Sequence, residues 1–217
     1  MSDLLKTTLS LQIYDILRQD IIQGRIAPGE KLTLKILQER FGVSTSPIRE
    51  ALTRLTADNL VTYYSNVGIR VVELTTKDLD EIYQLMGDLD ALALRYACES
   101  DDYQTYLDEL TDCIMDCRKA LENGETERWI RCSDQVHLTA YRFCDNSRLI
   151  ASAEQLRGQL TIMSANYQKD STCQQQIQQE HENIWKLVEQ RDIPGACQAM
   201  REHLLHSLEL AHQVRRH

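Results

Sequence analysis

The sequence predicts a mainly α-helical protein in two parts, and three observations carry that prediction. Hydrophobic residues make up 42% of the 217 positions while Gly (8) and Pro (3) are scarce, a balance that favours helices with short connections over a many-stranded sandwich. Apolar residues recur at helical spacing along most of the chain. Alternating, turn-bounded segments are confined to positions 60–72. The length suits two modest domains, with boundaries expected at 1–74 and 75–217.

Taken in order, 9–23 places Leu9, Ile13, Ile16, Leu17 and Ile21 on one helical face, and Gly24 ends the helix. Ile26 to Leu32 reads as a turn into a short helix over 33–40, with Leu34, Leu37 and Phe41 inward and Gly42 as its break. Ser44 or Ser46 can cap a third helix, whose first turn suits Pro47. Leu60–Tyr64 and Ile69–Val72 read as two strands joined at Ser65–Gly68. Helix, short helix, glycine turn, third helix and β-hairpin together describe a winged helix-turn-helix with a small β-hairpin wing. From Thr75 the periodicity predicts helices over 76–99, 102–122, 125–144, 147–167, 174–190 and 193–215, an antiparallel α-helical bundle of six to seven helices. Asp192 is the expected cap of the last, with Pro194 in its first turn.

Composition also bounds function. No apolar run approaches the roughly 20 residues that a bilayer span needs, and Met1 to Ser10 lacks the apolar stretch of a signal peptide, so a cytoplasmic protein without membrane contact is expected. Seven cysteines without a Cys-x-x-Cys pair fit a reducing compartment. The net charge of −9 is uneven. Residues 1–73 carry 9 Lys+Arg against 8 Asp+Glu, a net of +1, and the remainder carries −10. Local placement of cations, not overall charge, therefore decides whether the first domain meets DNA.

A recognition helix enters the major groove by its N-terminal end, which needs small polar residues followed by a cationic reader one turn on. Ser44, Thr45, Ser46 and Arg49 meet that requirement. Backbone N–H groups at the same end can hold a phosphate. Gly68 at the wing allows close approach to a minor groove, with Asn66 and Arg70 beside it.

The segment LTLKILQERFGVSTSPIREALTRLTADNLV, with its lead-in Ile22-Gln23-Gly24-Arg25-Ile26-Ala27-Pro28-Gly29, resembles the DNA-binding segment of the GntR family of bacterial transcription regulators. The resemblance covers about 10–72 and implies DNA contacts at Lys35, Ser44, Thr45, Ser46 and Arg49, with Gly68 as the wing glycine; Asn66, beside it, is the further wing candidate. The position after Ser44 is usually Arg and reads guanine in that family; here it is Thr45.

Residues 76–213 resemble the FCD-type, FadR-like C-terminal domain of the same family. The segments that carry this are Val136-His137 through Asn146-Ser147-Arg148-Leu149, Glu180-His181-x-x-Ile184, and Asp192 through Ala196, Met200 and His203-Leu204. His137, His181 and His203 lie on three different predicted helices, and three imidazoles converging in a bundle suit a divalent metal such as zinc or nickel. Metal-binding members carry Asp four residues before the first His. Ser133 stands there in this chain and Asp134 follows, and both spacings remain near the helical face of His137, which makes Asp134 a candidate fourth ligand. Many members also carry an effector-binding Arg four residues before an acid in the first long helix; the acid position is Asp90 but the Arg position is Met86. A small carboxylate is therefore not the expected effector.

The resemblance implies a homodimeric repressor, not an enzyme, that binds a palindromic operator in double-stranded DNA and responds to a small-molecule effector. One alternative is a member acting through a protein partner or a thiol. A remote one is a His-metal hydrolase, for which no nucleophile or general base stands at a motif spacing.

Overall fold

The computed structural model describes residues 8–65 and 68–215. They divide into two compact units, one of residues 1–75 with 154–162, the other of 76–153 with 163–217.

The first unit begins with α1 (Leu9–Ile22), capped by Thr8, whose hydroxyl accepts from the Leu11 amide. The face that enters the core is Ile13, Leu17 and Ile21. Leu9 and Ile16, expected on that face, are exposed, and Ser10 and Asp20 are buried in their place. The rotation has a physical reason at the end of the helix: Asp20 receives hydrogen bonds from the guanidinium groups of Arg25 and Arg40 and so can be buried with its charge compensated. Burial by itself would raise the Asp20 carboxyl, but those two guanidinium groups hold it below its usual value.

Strand β1 (Lys31–Leu32) precedes α2 (Leu34–Phe41). Thr33 caps α2 by accepting from the Ile36 amide at 3.2 Å, and Gly42 closes it at φ +66°, a left-handed conformation that favours glycine. Helix α3 (Thr45–Ala57) follows, with Ser44 at its N-cap position and Ile48, Ala51, Leu52 and Leu55 buried. Strands β2 (Val61–Tyr64) and β3 (Gly68–Val71) pair antiparallel, with Tyr64 opposite Gly68. The expected two-stranded wing is in fact a three-stranded sheet of order β1-β3-β2. The segment before α2, read from sequence as a turn, supplies the extra strand by pairing Lys31 with Arg70 and Leu32 with Ile69. Two residues are too short to show a period, so only the partner strand defines β1.

The second unit consists of α4 (Thr76–Glu99), α5 (Tyr103–Glu122), α6 (Thr126–Arg142), the two ends of α7 (Ser147–Ser164), a 3₁₀ turn (Tyr167–Lys169), α8 (Ser171–Glu189) and α9 (Ile193–Arg215). Within it α4 packs on α9, α5 on α6, and α8 on α9 and α5. Its largest fully buried side chains include Trp129, Tyr83, Tyr106, Met86 and Leu94. Two boundaries differ from the sequence reading. Helix α7 stops at Ser164, and the turn at Tyr167–Lys169 takes its expected last residue. Helix α8 starts three residues earlier than expected, because the Asp170 carboxylate accepts from the amides of Thr172 and Cys173 and satisfies the first turn. Asp192 caps α9 as expected, accepting from the Gly195 amide at 3.0 Å.

Candidate nucleic-acid interface and candidate metal centre

Helix α3 is anchored by its apolar face, and that anchoring presents its other face. Ile48, Ala51 and Leu55 are 0% exposed, so Thr45, Ser46 and Arg49, on the other face, point away from the core, and all three are exposed. Ser44 is exposed at the N-cap and its side chain makes no capping hydrogen bond, which leaves the hydroxyl and the first-turn amides facing solvent. Lys35, in the first turn of α2, is also exposed. Arg49 and Gly68 line one groove of about 560 Å³, along with Leu52 and Thr53 of α3 and Lys31 and Tyr63 of the sheet. Arg49 and the following turns of α3 therefore share one groove with the wing.

Gly68 has φ +102°, and a Cβ there would lie 3.4 Å from the Lys31 side chain, so backbone conformation rather than crowding favours glycine. Arg70, placed by sequence beside the wing tip, instead donates to the Gly29 carbonyl at 2.7 Å. Asn66, the other wing candidate, lies outside the described residues.

In the second unit, three histidines from three helices meet: His137 of α6, His181 of α8 and His203 of α9. They are 8%, 0% and 4% exposed. Their ring centroids are 4.5–5.2 Å apart, and one potential ligand atom from each lies within 4.8 Å of the others. Nε2 of His181 and Nε2 of His203 are 3.2 Å apart.

The donor set can be tested against a metal. Zinc–nitrogen bonds of about 2.0–2.1 Å at a tetrahedral angle separate two ligand nitrogens by about 3.3–3.4 Å. The His181–His203 pair, at 3.2 Å, is close to that separation, and a ligand atom of the third imidazole lies within 4.8 Å of theirs. A metal ligand must be an unprotonated nitrogen. Burial, and then the neighbouring His203 and His137, hold the His181 imidazole well below its usual pKa, so it is neutral at pH 7. Nδ1 of His181 is buried without a hydrogen-bond partner among the described residues. The residues present fit a divalent cation.

Sequence reasoning identified the three imidazoles but not what holds them. Asp90 of α4, 1% exposed, lies with Oδ2 2.8 Å from Nδ1 of His137, and its Oδ1 accepts from the Tyr141 hydroxyl at 2.6 Å. Glu180 lies with Oε2 2.7 Å from Nδ1 of His203 and Oε1 2.5 Å from Nδ1 of His206. Glu180 directly precedes His181, a visible signal; Asp90 is 47 residues from His137 and gives none. Asp134 is half-buried on α6 and is not in the cluster that the three histidines form. Ser133, one turn before His137, is buried. Among the described residues no Lys or Arg is buried, and Met86 is 0% exposed. The Cys98 and Cys117 thiols are poor nucleophiles: burial pushes Cys98 up to about 12 and Cys117 higher still.

Residues 9–71 match the family model described as bacterial regulatory proteins, gntR family, and residues 81–206 match the FCD domain. The chain is 31% identical over 205 residues to the HTH-type transcriptional regulator YdhC of Bacillus subtilis (strain 168), covering 94% of this chain and 91% of that protein. It is 26% identical to the HTH-type transcriptional repressor GlaR of Escherichia coli (strain K12), covering 96% and 98%. The solved structure of E. coli McbR/YncC superposes with a TM-score of 0.75 at 25% identity, covering 96% of this chain and 99% of that one. Among the described residues no helix is long and apolar enough to cross a membrane. The chain belongs to the GntR family, in the FadR-like subfamily with an FCD domain, and is a DNA-binding transcriptional regulator rather than an enzyme.

Proposed function

We propose that the protein is a cytoplasmic, homodimeric repressor that reads a palindromic operator through α3 and the wing, and that a small molecule bound in the helical domain modulates operator affinity. The observation that carries the reading is the exposed polar N-terminus of α3, together with Arg49, one turn on, which shares a groove with the wing glycine Gly68. Residues 1–74 act as the DNA-binding domain and 75–217 as the ligand-binding and dimerisation domain. Lys35, Ser44, Thr45, Ser46, Arg49, Asn66 and Gly68 are the proposed contacts. Serine and threonine hydroxyls and helix N-terminal amides suit phosphate oxygens, whereas a guanidinium suits the O6 and N7 acceptors of guanine. Two copies supply the specificity that one short helix cannot.

His137, His181 and His203 are proposed to hold one zinc or nickel ion, with Asp134 as a candidate fourth ligand after a side-chain rearrangement. The ion would supply a Lewis-acidic point with open positions for an effector oxygen. Neutral imidazoles bind it; Asp90, Tyr141 and Glu180 offer hydrogen bonds and negative charge around it. With Met86 where an arginine would clamp a carboxylate, and no buried Lys or Arg among the described residues, the family's usual small carboxylate is not the favoured effector. Such a ligand alters operator affinity only by binding one conformation better than another, and DNA must then alter its affinity reciprocally.

Selection of bound sequences from random DNA, followed by footprinting, tests the DNA reading; recovery of no two-fold symmetric site would overturn it. Elemental analysis of protein purified without a histidine tag, beside His181→Ala/His203→Ala, tests the metal. Equal, negligible metal in both after reconstitution removes it, and undiminished binding by Asp134→Ala removes Asp134.

A further inference from the structure

The three imidazoles are not equivalent. His137 and His203 are each backed by a carboxylate on Nδ1, Asp90 at 2.8 Å and Glu180 at 2.7 Å, whereas Nδ1 of His181 has no partner among the described residues. The two carboxylates also differ. Glu180 is partly exposed and shared with His206. Asp90 is 1% exposed, comes from a fourth helix, and is held on its other oxygen by the Tyr141 hydroxyl at 2.6 Å. Asp90 thus has a fixed position, set by α4 and α6 together.

That position decides the chemistry of His137. A carboxylate oxygen only accepts, so the nitrogen facing it must carry the proton. Nδ1 of His137 is therefore N–H, and Nε2 keeps its lone pair. A second effect concerns charge. A divalent ion bound by three neutral imidazoles keeps its full double charge in a buried setting, which is costly unless compensated. Ser133 and its neighbour Asp134 put no carboxylate oxygen within the histidine cluster. Asp90 supplies negative charge one imidazole away and makes His137 a stronger donor, as carboxylate–histidine pairs do at zinc sites.

We infer that Asp90 is the positioning residue of the metal centre: it fixes the His137 tautomer that leaves Nε2 free for a cation, and it supplies through that ring the negative charge absent at Ser133. The inference rests on the metal reading above. It also removes Asp90 from the direct effector contacts, because both its oxygens are engaged inside the bundle.

The test is Asp90→Asn in the full-length, metal-stripped protein. An asparagine of the same shape lacks the charge, and its NH₂ can face Nδ1 and move the ring proton to Nε2. Two readouts apply. Long-range ¹H–¹⁵N spectra of histidine-labelled protein report the His137 tautomer without metal; Nδ1–H is expected in the wild type, with a shift toward Nε2–H in the variant. Titration with Co²⁺ against a chelator, followed by the cobalt d–d absorption, reports affinity; about 10- to 100-fold weaker binding is expected for the variant. Tyr141→Phe, which loses one hydrogen bond but keeps the carboxylate, should fall between the two. An unchanged tautomer together with cobalt affinity within twofold of wild type overturns the inference while the metal reading stands. A wild type that takes up no Co²⁺ overturns both. Should Asp90→Asn fail to fold, the wild-type spectrum decides: Nε2–H on His137 in the metal-stripped protein overturns the inference.

Discussion

Removing the Arg49 side chain gives a direct reading of how α3 meets DNA. Arg49 is exposed, one turn from the N-terminus of α3, and among the described residues its guanidinium has no ion-pair or hydrogen-bond partner, although its carbonyl accepts from the Thr53 hydroxyl. Its loss should leave the fold almost untouched, within about 0.5 kcal/mol for a surface change away from such features. A bidentate contact to guanine discriminates by about 1–3 kcal/mol. With every 1.4 kcal/mol a tenfold change, Arg49→Ala should weaken each half-site by about 5- to 150-fold. Fluorescence anisotropy on the selected operator, repeated over a salt series, separates two roles. A base reader loses affinity and relaxes specificity at one base pair with the salt slope preserved; a phosphate contact weakens all sequences alike and lowers the slope by about one. Unchanged operator affinity at unchanged melting temperature would refute the assignment of α3 as the reading element through Arg49.

Thr45→Arg adds the guanidinium that the family usually carries at that place, on an exposed first-turn position of α3; the preferred operator should change, and selections that return the same site for both proteins would count against it. Asp20→Asn removes two charge-assisted hydrogen bonds from the end of α1 and should cost the first unit about 1–2 kcal/mol in urea unfolding, the value being held down because both guanidinium partners are about half exposed. Because the folded-state pKa of Asp20 is lowered, its contribution is present above the usual carboxylate pKa and is lost as pH falls through the lower folded value; Asp20→Asn should therefore flatten the acid limb of stability, and an unaltered limb would refute the pairing. Leu55→Ala, at a fully buried position of α3, should destabilise the first unit by about 2–5 kcal/mol, measured by the same unfolding, and a loss under 1 kcal/mol would contradict the packing described.

Local pattern was enough for the order of the helices and for the exposed face of α3. The apolar positions of α3 repeat at 3.6 residues, so burying Ile48, Leu52 and Leu55 leaves Thr45, Ser46 and Arg49 outside whatever else the chain does. The cap at Asp192 acts within three residues and was visible for the same reason, whereas Thr33 and Asn146 were not read as caps. The three histidines were also legible, since each sits in a recognisable segment of its own helix. What the sequence could not decide involves distant partners. Strand β1 exists only because β3, nearly forty residues on, accepts it as a neighbour. Asp20 replaces Ile16 as a buried residue because Arg25 and Arg40 converge on it. Asp90 reads in sequence only as the family's acid position on α4, and the packing of α4 against α6 is what brings it onto His137 and Tyr141. Periodicity records which face of an element is buried, whereas the partner of a buried charge is fixed by the crossing of two helices that the chain brings together from far apart.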